Sequence, residues 1–189
     1  MRRVRQTAGE GVVTKARFLR TIQYRAVRAA VGTSATRGSG TSGVGKSARG
    51  FLVRLNLAQF GINNQHAFRR TLDRTTKRLQ RELPKRGRSW GLARKLLNIF
   101  LRDSLYTGYL SRAYGLGAAE RFLEVPLDSI TAKRIREKVP ELTPWPGVKH
   151  TSPEMSAAYQ AAALLLARKH RVSRVHLDAY WWGQRGERH

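Results

Sequence analysis

An all-α fold is predicted for this chain by three features of its sequence. Apolar residues recur at helical spacing in several segments, and no segment of any length alternates apolar and polar residues as a half-buried strand does. Prolines and capping residues also mark where the apolar segments begin and end. Because 41% of the 189 residues are hydrophobic, the chain is long enough and apolar enough for one helical domain with a sizeable core.

Six helices are predicted, in chain order, over residues 12–31, 65–83, 92–110, 129–138, 153–170 and 173–182. The first is basic, and the stretch 32–45 that follows it is rich in Gly, Ser and Thr, which predicts a loop. The second has Phe68, Leu72 and Leu79 at helical spacing, and Pro84 ends it. The third contains a dense run of large apolar residues, so it is expected to be buried.

The last three helices are predicted from the residues at their ends. Pro126 and Asp128 open the fourth helix, and Pro140 closes it. Ser152 followed by Pro153 gives the fifth helix an N-cap and a proline in its first turn. The sixth is a short helix near the C-terminus.

The charge balance indicates the class of partner. The chain has 37 Lys and Arg against 12 Asp and Glu, a formal net charge of +25. This excess repels itself in a compact protein until a polyanion neutralises it, and nucleic acid is the usual polyanion. We expect a basic N-terminal extension over residues 1–46 and a helical domain over residues 47–189. Charge alone fits a non-enzymatic nucleic-acid-binding protein as well as an enzyme.

The sequence lacks the residues and segments that cysteine-based sites, membrane spans and secretory signals require. The chain has no cysteine, which excludes disulfides, thiolate zinc sites and iron–sulfur clusters. No apolar run is long enough to span a membrane, and the basic N-terminus lacks the apolar run of a secretory signal. A cytoplasmic monomer without a metal, a cofactor or a membrane partner is expected.

The segment 40–47, GTSGVGKS, fits the phosphate-binding loop pattern G-x-x-x-x-G-K-[ST] in full. In such a loop the backbone N–H groups wrap phosphates, the lysine reaches the outer phosphates, and the serine holds magnesium. The pattern requires a buried strand before it, but the preceding residues are polar and no parallel sheet is predicted. A P-loop ATPase is therefore the less favoured alternative, and Lys46 is expected to contact a DNA phosphate.

Two other segments form a more specific pattern. WGLARKLLN at 90–98 and VPLDS at 125–129 resemble the hairpin P-G-V-G-R-K-T-A-N and the segment V-P-V-D-T-H of helix-hairpin-helix DNA glycosylases of the endonuclease III type. The matching residues are Gly91, Arg94, Lys95, Asn98, Val125, Pro126 and Asp128, with Ser129 in place of threonine. Trp90, Ala93 and Ile130 depart from the pattern. The resemblance covers roughly residues 84–138, and the long segment between lysine and aspartate is similar to that of archaeal 8-oxoguanine glycosylases.

The resemblance implies a helix-hairpin-helix DNA glycosylase, with an atypical hairpin, that flips a damaged or modified base out of double-stranded DNA. It assigns Lys95 as an amine nucleophile and Asp128 as the carboxylate that stabilises positive charge on the sugar. An attacking amine forms a Schiff base, so the resemblance also implies abasic-site lyase activity. Alternatively, Asp128 activates water and Lys95 only grips phosphate.

The substrate base is left open by these patterns. An oxidised purine, a modified pyrimidine and a hypermodified phage cytosine are the candidates, and the corresponding roles are base-excision DNA repair or antiviral defence. Further residues are assigned by their chemistry, as phosphate-binding groups or as groups that hold the flipped base. The expected DNA-binding residues are Arg88, Gly91, Arg94, Ser129, Lys133, Arg134, Lys149 and Lys46. The expected base-pocket residues are Trp145, His150, Asp178 and Trp181.

Overall fold

The computed structural model describes residues 14–36 and 41–186, and over these residues the fold is all-α, with nine α-helices and no strand. The helices are α1 Lys15–Ala30, α2 Thr33–Thr36, α3 Val44–Val53, α4 Gln65–Glu82, α5 Trp90–Tyr106, α6 Gly108–Tyr114, α7 Ser129–Lys138, α8 Pro153–Lys169 and α9 Leu177–Gly186. Short 3-10 helices connect them at Leu57–Phe60, Lys85–Gly87, Leu116–Phe122, Val148–His150 and Arg174–His176.

Two clusters of buried side chains hold the helices together. The first joins α1, α3, α4, α5 and α6, with side chains such as Val27, Leu52 and Leu96 completely buried. The second joins α7, α8 and α9 around residues such as Ile135 and Ala163. Each large apolar side chain that is fully buried contributes about 1.5–3 kcal/mol, so burial in these two clusters dominates the stability of the fold.

The predicted helix starts at Asp128 and Ser152 are confirmed. The Oδ1 atom of Asp128 accepts hydrogen bonds from the backbone N–H groups of Ile130 and Thr131 at 3.0 and 2.9 Å. The hydroxyl of Ser152 accepts one from the N–H of Met155 at 3.2 Å. Such caps satisfy N–H groups that have no partner inside the helix, and each stabilises it by about 1 kcal/mol.

The segment expected to form the hairpin is helical instead. Helix α5 begins at Trp90, and the hydroxyl of its N-cap Ser89 accepts a hydrogen bond from the N–H of Leu92 at 3.2 Å. Lys95 is therefore the sixth residue of a long helix and not part of a helix start. The predicted helix 92–110 is also interrupted at Thr107, which separates α5 from α6.

The basic N-terminal segment is part of the domain wherever the structure describes it. The predicted boundary between residues 46 and 47 lies inside α3, and α1 packs in the first core cluster. The buried side-chain amide of Gln23 donates hydrogen bonds to the carbonyl oxygens of Leu52 and Leu55 at 2.9 and 2.8 Å, which ties α1 to the end of α3. Residues 1–13 of the expected extension lie outside the described residues.

The P-loop hypothesis is wrong for this fold. Gly43, with φ at +82°, caps α3, and Lys46 is exposed on that helix. A phosphate-binding loop also needs a strand of a parallel sheet before it, and residues 14–36 and 41–186 contain no strand. Gly40, the first glycine of the pattern, lies outside the described residues. Within the described part of the chain, no helix is both long and apolar enough to cross a lipid bilayer.

Candidate active site

A cavity of about 290 Å³ brings the two predicted catalytic residues together. Helices α1, α2 and α5 line one side of it, and residues beside the second core cluster, at the start of α7 and in α9, line the other. The polar side chains that line this central cavity include those of Lys95, Arg102, Asp103, Tyr106, Asp128 and Asp178. Alanines of α1 and α2, together with Ile99 and Pro126, give it apolar walls.

Lys95 is held in the cavity wall by the second turn of α5. Its side chain is only 7% exposed, and its Nζ donates a hydrogen bond to the carbonyl oxygen of Ala35 in α2 at 3.1 Å. Burial lowers the pKa of Lys95, although the negative charges of Asp128 and Asp178 oppose this shift. A lowered pKa makes the neutral amine, which is the nucleophilic form, more accessible.

Asp128 is positioned by the helix that it caps. Both capping hydrogen bonds use Oδ1, so that Oδ2 takes no part in the cap. The carboxylate is partly exposed, lines the central cavity and lies close enough to Lys95 to act on its pKa. Because the N-cap geometry fixes its backbone and one oxygen, this carboxylate is preorganised for chemistry at the cavity.

The segment that leads into Asp128 is anchored by α8 and by Arg174. The side-chain amide of Gln160 accepts the N–H of Val125 at 3.1 Å and donates to the carbonyl oxygen of Val125 at 2.7 Å. The guanidinium of Arg174 donates to the carbonyl oxygens of Phe122 and Leu123 at 2.9 and 3.0 Å. These bonds hold an irregular segment in a fixed position without help from a sheet.

A second carboxylate, Asp178 of α9, lines the same cavity. It is 6% exposed, pairs with the guanidinium of Arg102, and accepts a hydrogen bond from the hydroxyl of Thr131 at 3.3 Å. Arg102 also pairs with Asp103 at 2.9 Å. Burial raises the pKa of both Asp178 and Asp103, and the positive charge of Arg102 opposes the shift. Asp178 therefore lines the same cavity as Lys95 and Asp128, and its contact with a base stays a prediction.

A chain of hydrogen bonds at the cavity wall was not predicted from the sequence. The hydroxyl of Tyr106 lies 2.9 Å from Nδ1 of His176, and the two rings stack with their centroids 5.6 Å apart. Nε2 of His176 lies 2.9 Å from Oε1 of Glu120, which also accepts a hydrogen bond from the hydroxyl of Ser173 at 2.9 Å. The partners are 70 and 56 residues apart in sequence, so no local pattern signals them.

Two residues that were expected to bind DNA are buried. Arg94 is 3% exposed; its guanidinium pairs with Asp73 and with Glu124, and donates to the hydroxyl of Thr76 at 2.8 Å. An arginine engaged in this way in the interior is not free to contact a DNA phosphate. The prediction for Arg94 is therefore wrong, and the residue instead joins α4 and α5 to the segment before Asp128.

Gly91 has a packing role. A Cβ atom at this position would lie 2.3 Å from the carbonyl oxygen of Val148 and 2.8 Å from the Cβ of Thr151. Only glycine lets the 3-10 helix Val148–His150 approach α5 so closely. Gly91 is itself buried, so the prediction that it binds DNA is also wrong.

The other expected DNA-binding residues lie at the surface. Arg88, Ser129, Lys133, Lys149 and Lys46 are exposed, and Arg134 is partly exposed. The Arg88 guanidinium is held by the carbonyl oxygens of Arg81 and Leu83 at 2.9 and 3.2 Å. The Nζ of Lys133 lies 4.0 Å from a carboxylate oxygen of Glu137, one turn along α7. Contact of these six residues with DNA stays a prediction.

Three of the four expected base-pocket residues do not line the central cavity. Trp145 lines a separate cavity of about 590 Å³ beside α7, together with Tyr159. His150 is exposed at the end of a 3-10 helix, and Trp181 is 9% exposed within the second core cluster. In the sequence, an aromatic residue between helices looks the same whether it packs in the core or lines a ligand site.

The outer surface of α1 is strongly basic close to the cavity. All five of its cationic side chains are exposed: Lys15, Arg17, Arg20, Arg25 and Arg28. The last turn of the same helix, at Ala29 and Ala30, lines the central cavity. A basic face next to a cavity raises the local concentration of polyanions and guides them towards it.

Candidate metal ligands are lacking in the part of the chain that the structure describes, where no group of three or more His, Asp or Glu side chains is arranged to hold an ion. Comparisons with known protein families, with curated proteins and with solved structures give no match for this chain. The chemistry of the central cavity is therefore the basis for assigning a function.

Proposed function

We propose that this protein is a DNA glycosylase that accepts a flipped, damaged or modified base in the central cavity. Lys95 is the candidate nucleophile, and Asp128 is the catalytic carboxylate. The observation that carries the proposal is the burial of Lys95, with a lowered pKa, in a cavity that carboxylates from two other helices also line. A lysine in a basic protein is ordinarily solvated, so this placement calls for a chemical explanation.

The arrangement suits cleavage of an N-glycosidic bond. Departure of the base builds positive charge on the sugar, which a nearby carboxylate stabilises electrostatically. A neutral amine attacks the sugar carbon, and the resulting Schiff base permits strand cleavage, so the proposed enzyme has lyase activity as well. If water is the nucleophile, Asp128 activates it and Lys95 serves as a cation beside the site.

The size and surroundings of the cavity also support the proposal. Its volume of about 290 Å³ is close to the lower limit for small-molecule sites, about 300 Å³, so it suits a small ligand such as a single base. A base within a duplex is out of reach of such a cavity, so it has to be extruded. In this proposal, the exposed basic side chains of α1 hold the phosphates on either side of an extruded nucleotide.

A non-enzymatic nucleic-acid-binding protein is the second candidate, and the net charge of +25 favours it equally. A role in binding alone does not explain why Lys95 is buried, because burial of an ammonium group is unfavourable. The two hypotheses therefore predict different effects for a substitution of buried Lys95. They predict the same effect, weaker binding of nucleic acid, for substitutions on the basic surface.

Release of a base from DNA tests the proposal. The protein is incubated with duplexes that contain 8-oxoguanine, glucosylated 5-hydroxymethylcytosine or only ordinary bases, and alkali-sensitive sites and free bases are measured. We expect release from a modified duplex by the unaltered protein, loss of release in Asp128→Asn, and full activity in Glu137→Gln, whose carboxylate is exposed on α7. Salt-sensitive binding without release from any duplex would contradict the proposal and favour the binding protein.

A further inference from the structure

Three side chains connect the surface of the protein to the central cavity through hydrogen bonds. Tyr106, the last residue of α5, lines the cavity and is 48% exposed. Its hydroxyl contacts Nδ1 of His176, whose Nε2 contacts Glu120, at 2.9 Å in both cases. The side chains of His176 and Glu120 are 28% and 39% exposed, so solvent can exchange protons with this chain.

The carboxylate of Glu120, at the far end of this chain of hydrogen bonds from the cavity, sets the direction of the bonds. Hydrogen bonds from His176 and Ser173 lower the pKa of Glu120 and favour its charged form, which can only accept. Nε2 of His176 therefore carries a hydrogen, and in the neutral imidazole Nδ1 accepts the hydroxyl hydrogen of Tyr106. When the imidazole is protonated, Nδ1 donates to the Tyr106 oxygen, and the phenolic hydrogen is free to point into the cavity.

Burial, together with nearby negative charges, keeps the phenol of Tyr106 protonated. Burial raises the pKa of Tyr106, and the negative charges of Asp178, Asp103 and Glu120 raise it further, whereas Arg102 opposes the shift. A phenol that keeps its hydrogen is available as a donor to whatever occupies the cavity. Tyr106 thus offers a proton in the same cavity in which Lys95 offers a nucleophile.

We propose that Tyr106 is the general acid that protonates the departing base, and that His176 and Glu120 are positioning residues that resupply its proton. This inference rests on the proposed glycosylase function and deepens it. A base that leaves with the electron pair of its glycosidic bond needs a proton, and such a transfer accelerates a reaction by about 10²–10⁴-fold. The substrate class is accordingly a base that leaves more readily once it has been protonated.

The proposed step balances in atoms and charge. The neutral amine of Lys95 forms a bond to the sugar carbon, and the bond from that carbon to the base breaks with its electron pair going to the base. The base takes the phenolic proton of Tyr106, which regains one from Nδ1 of protonated His176. The new ammonium group on Lys95 gives a proton to Asp128. His176 then takes up a proton from solvent.

The same contacts could serve only to hold the 3-10 helix Arg174–His176 against α5, so the test has to separate the two roles. Single-turnover release of the base is compared with borohydride trapping on a duplex that carries an abasic site and no base at that position. Only the first reaction needs a proton for a departing base. Tyr109→Phe is the matched control, because Tyr109 is 58% exposed and stacks edge-on against Phe18 at 5.2 Å.

We expect Tyr106→Phe to reduce base release by about 10²–10⁴-fold while trapping on the abasic duplex changes less than about twofold. His176→Gln should also reduce base release and leave trapping on the abasic duplex unchanged to within about twofold, because it removes the group that resupplies the proton of Tyr106. Equal losses in release and trapping would assign the contacts a structural role only. Unchanged release in Tyr106→Phe would overturn the proposal directly.

The hydrogen-bonded chain can also be tested without a substrate. In ¹⁵N NMR spectra of the histidine side chains, Tyr106→Phe should change the chemical shift of the His176 Nδ1, and Tyr109→Phe should not. Identical His176 signals in both variants would overturn the inferred chain of hydrogen bonds. If the unaltered protein releases no base from any duplex, the glycosylase function and the catalytic role of Tyr106 fail together, whereas the NMR spectra test the hydrogen bonds alone.

Discussion

The side-chain amide of Gln160 and the backbone of Val125 are joined by two hydrogen bonds, one in each direction, at 3.1 and 2.7 Å. Both residues are buried, and Val125 is three residues before Asp128. The amide group thereby satisfies both backbone polar groups of a residue that lies in neither a helix nor a sheet. A single side chain of α8 thus fixes the approach of the chain to the proposed catalytic carboxylate.

Replacement of Gln160 by leucine is expected to destabilise the protein. It leaves the N–H and the carbonyl group of Val125 buried without a partner, which costs about 1–3 kcal/mol. Urea denaturation should show this loss in the free energy of unfolding. Gln59→Leu is the control, because the Gln59 side chain bonds only to the carbonyl oxygen of exposed Asn56, and it should change stability by less than about 0.5 kcal/mol. If both substitutions lower the free energy of unfolding equally, Gln160 does not anchor the segment before Asp128.

Arg94 is expected to act on stability and not on DNA affinity. Its guanidinium pairs with the buried carboxylate of Glu124 at 3.0 Å, so Arg94→Ala would leave that charge unpaired and cost about 3–5 kcal/mol. Arg70→Ala, at an exposed position of α4, should cost less than about 1 kcal/mol. The two variants are compared by thermal and urea unfolding. A stable Arg94→Ala protein with weakened DNA binding would restore the phosphate-contact hypothesis.

Lys95 should destabilise the folded protein at neutral pH. Because its pKa in the folded state is lower than in the unfolded chain, the unfolded state binds more protons, and stability falls as pH decreases below the ordinary lysine pKa. Lys95→Met is therefore expected to raise the free energy of unfolding at pH 7, and the gain should shrink as the pH approaches about 10.4. The expectation is wrong if Lys95→Met has a lower free energy of unfolding than the unaltered protein at pH 7 and if both free energies change with pH in the same way.

Two substitutions of Asp128 separate its structural and chemical roles. Asparagine caps helices as well as aspartate does, so Asp128→Asn should lose less than about 1 kcal/mol of stability, whereas Asp128→Ala should lose about 1–2 kcal/mol. Both should reduce base release by about 10²–10⁴-fold, because neither carries a carboxylate. If Asp128→Asn keeps full activity, the residue is only a helix cap.

The helices were predictable because their signals are local. Asp128 and Ser152 are caps whose hydrogen bonds join residues two or three positions apart, and α7 has the predicted bounds, Ser129–Lys138. Helix α5 starts at Trp90, two residues before the predicted start, and the local signal for this start is Ser89, whose hydroxyl caps the helix. For helix ends, the local physical signal was the better guide.

The candidate site was predictable only in part. Lys95 and Asp128 were paired by resemblance, and they line one cavity. Arg102 and Tyr106 also line it, but their partners Asp178 and His176 are 76 and 70 residues away in sequence, so the pairing depends on tertiary packing. The burial of Arg94 was not predicted either. It also depends on tertiary packing, whereas composition alone suggests that an arginine in a basic chain faces solvent.

The most direct test of the central claim is the identity of the residue that attacks DNA. The protein is mixed with abasic-site and modified-base duplexes in the presence of borohydride, and any covalent adduct is digested and mapped by mass spectrometry. We expect an adduct at Lys95 that disappears in Lys95→Gln and persists in Lys169→Gln, whose lysine is exposed on α8. An adduct at another lysine, or an undiminished adduct in Lys95→Gln, would contradict the assignment of Lys95 as the nucleophile.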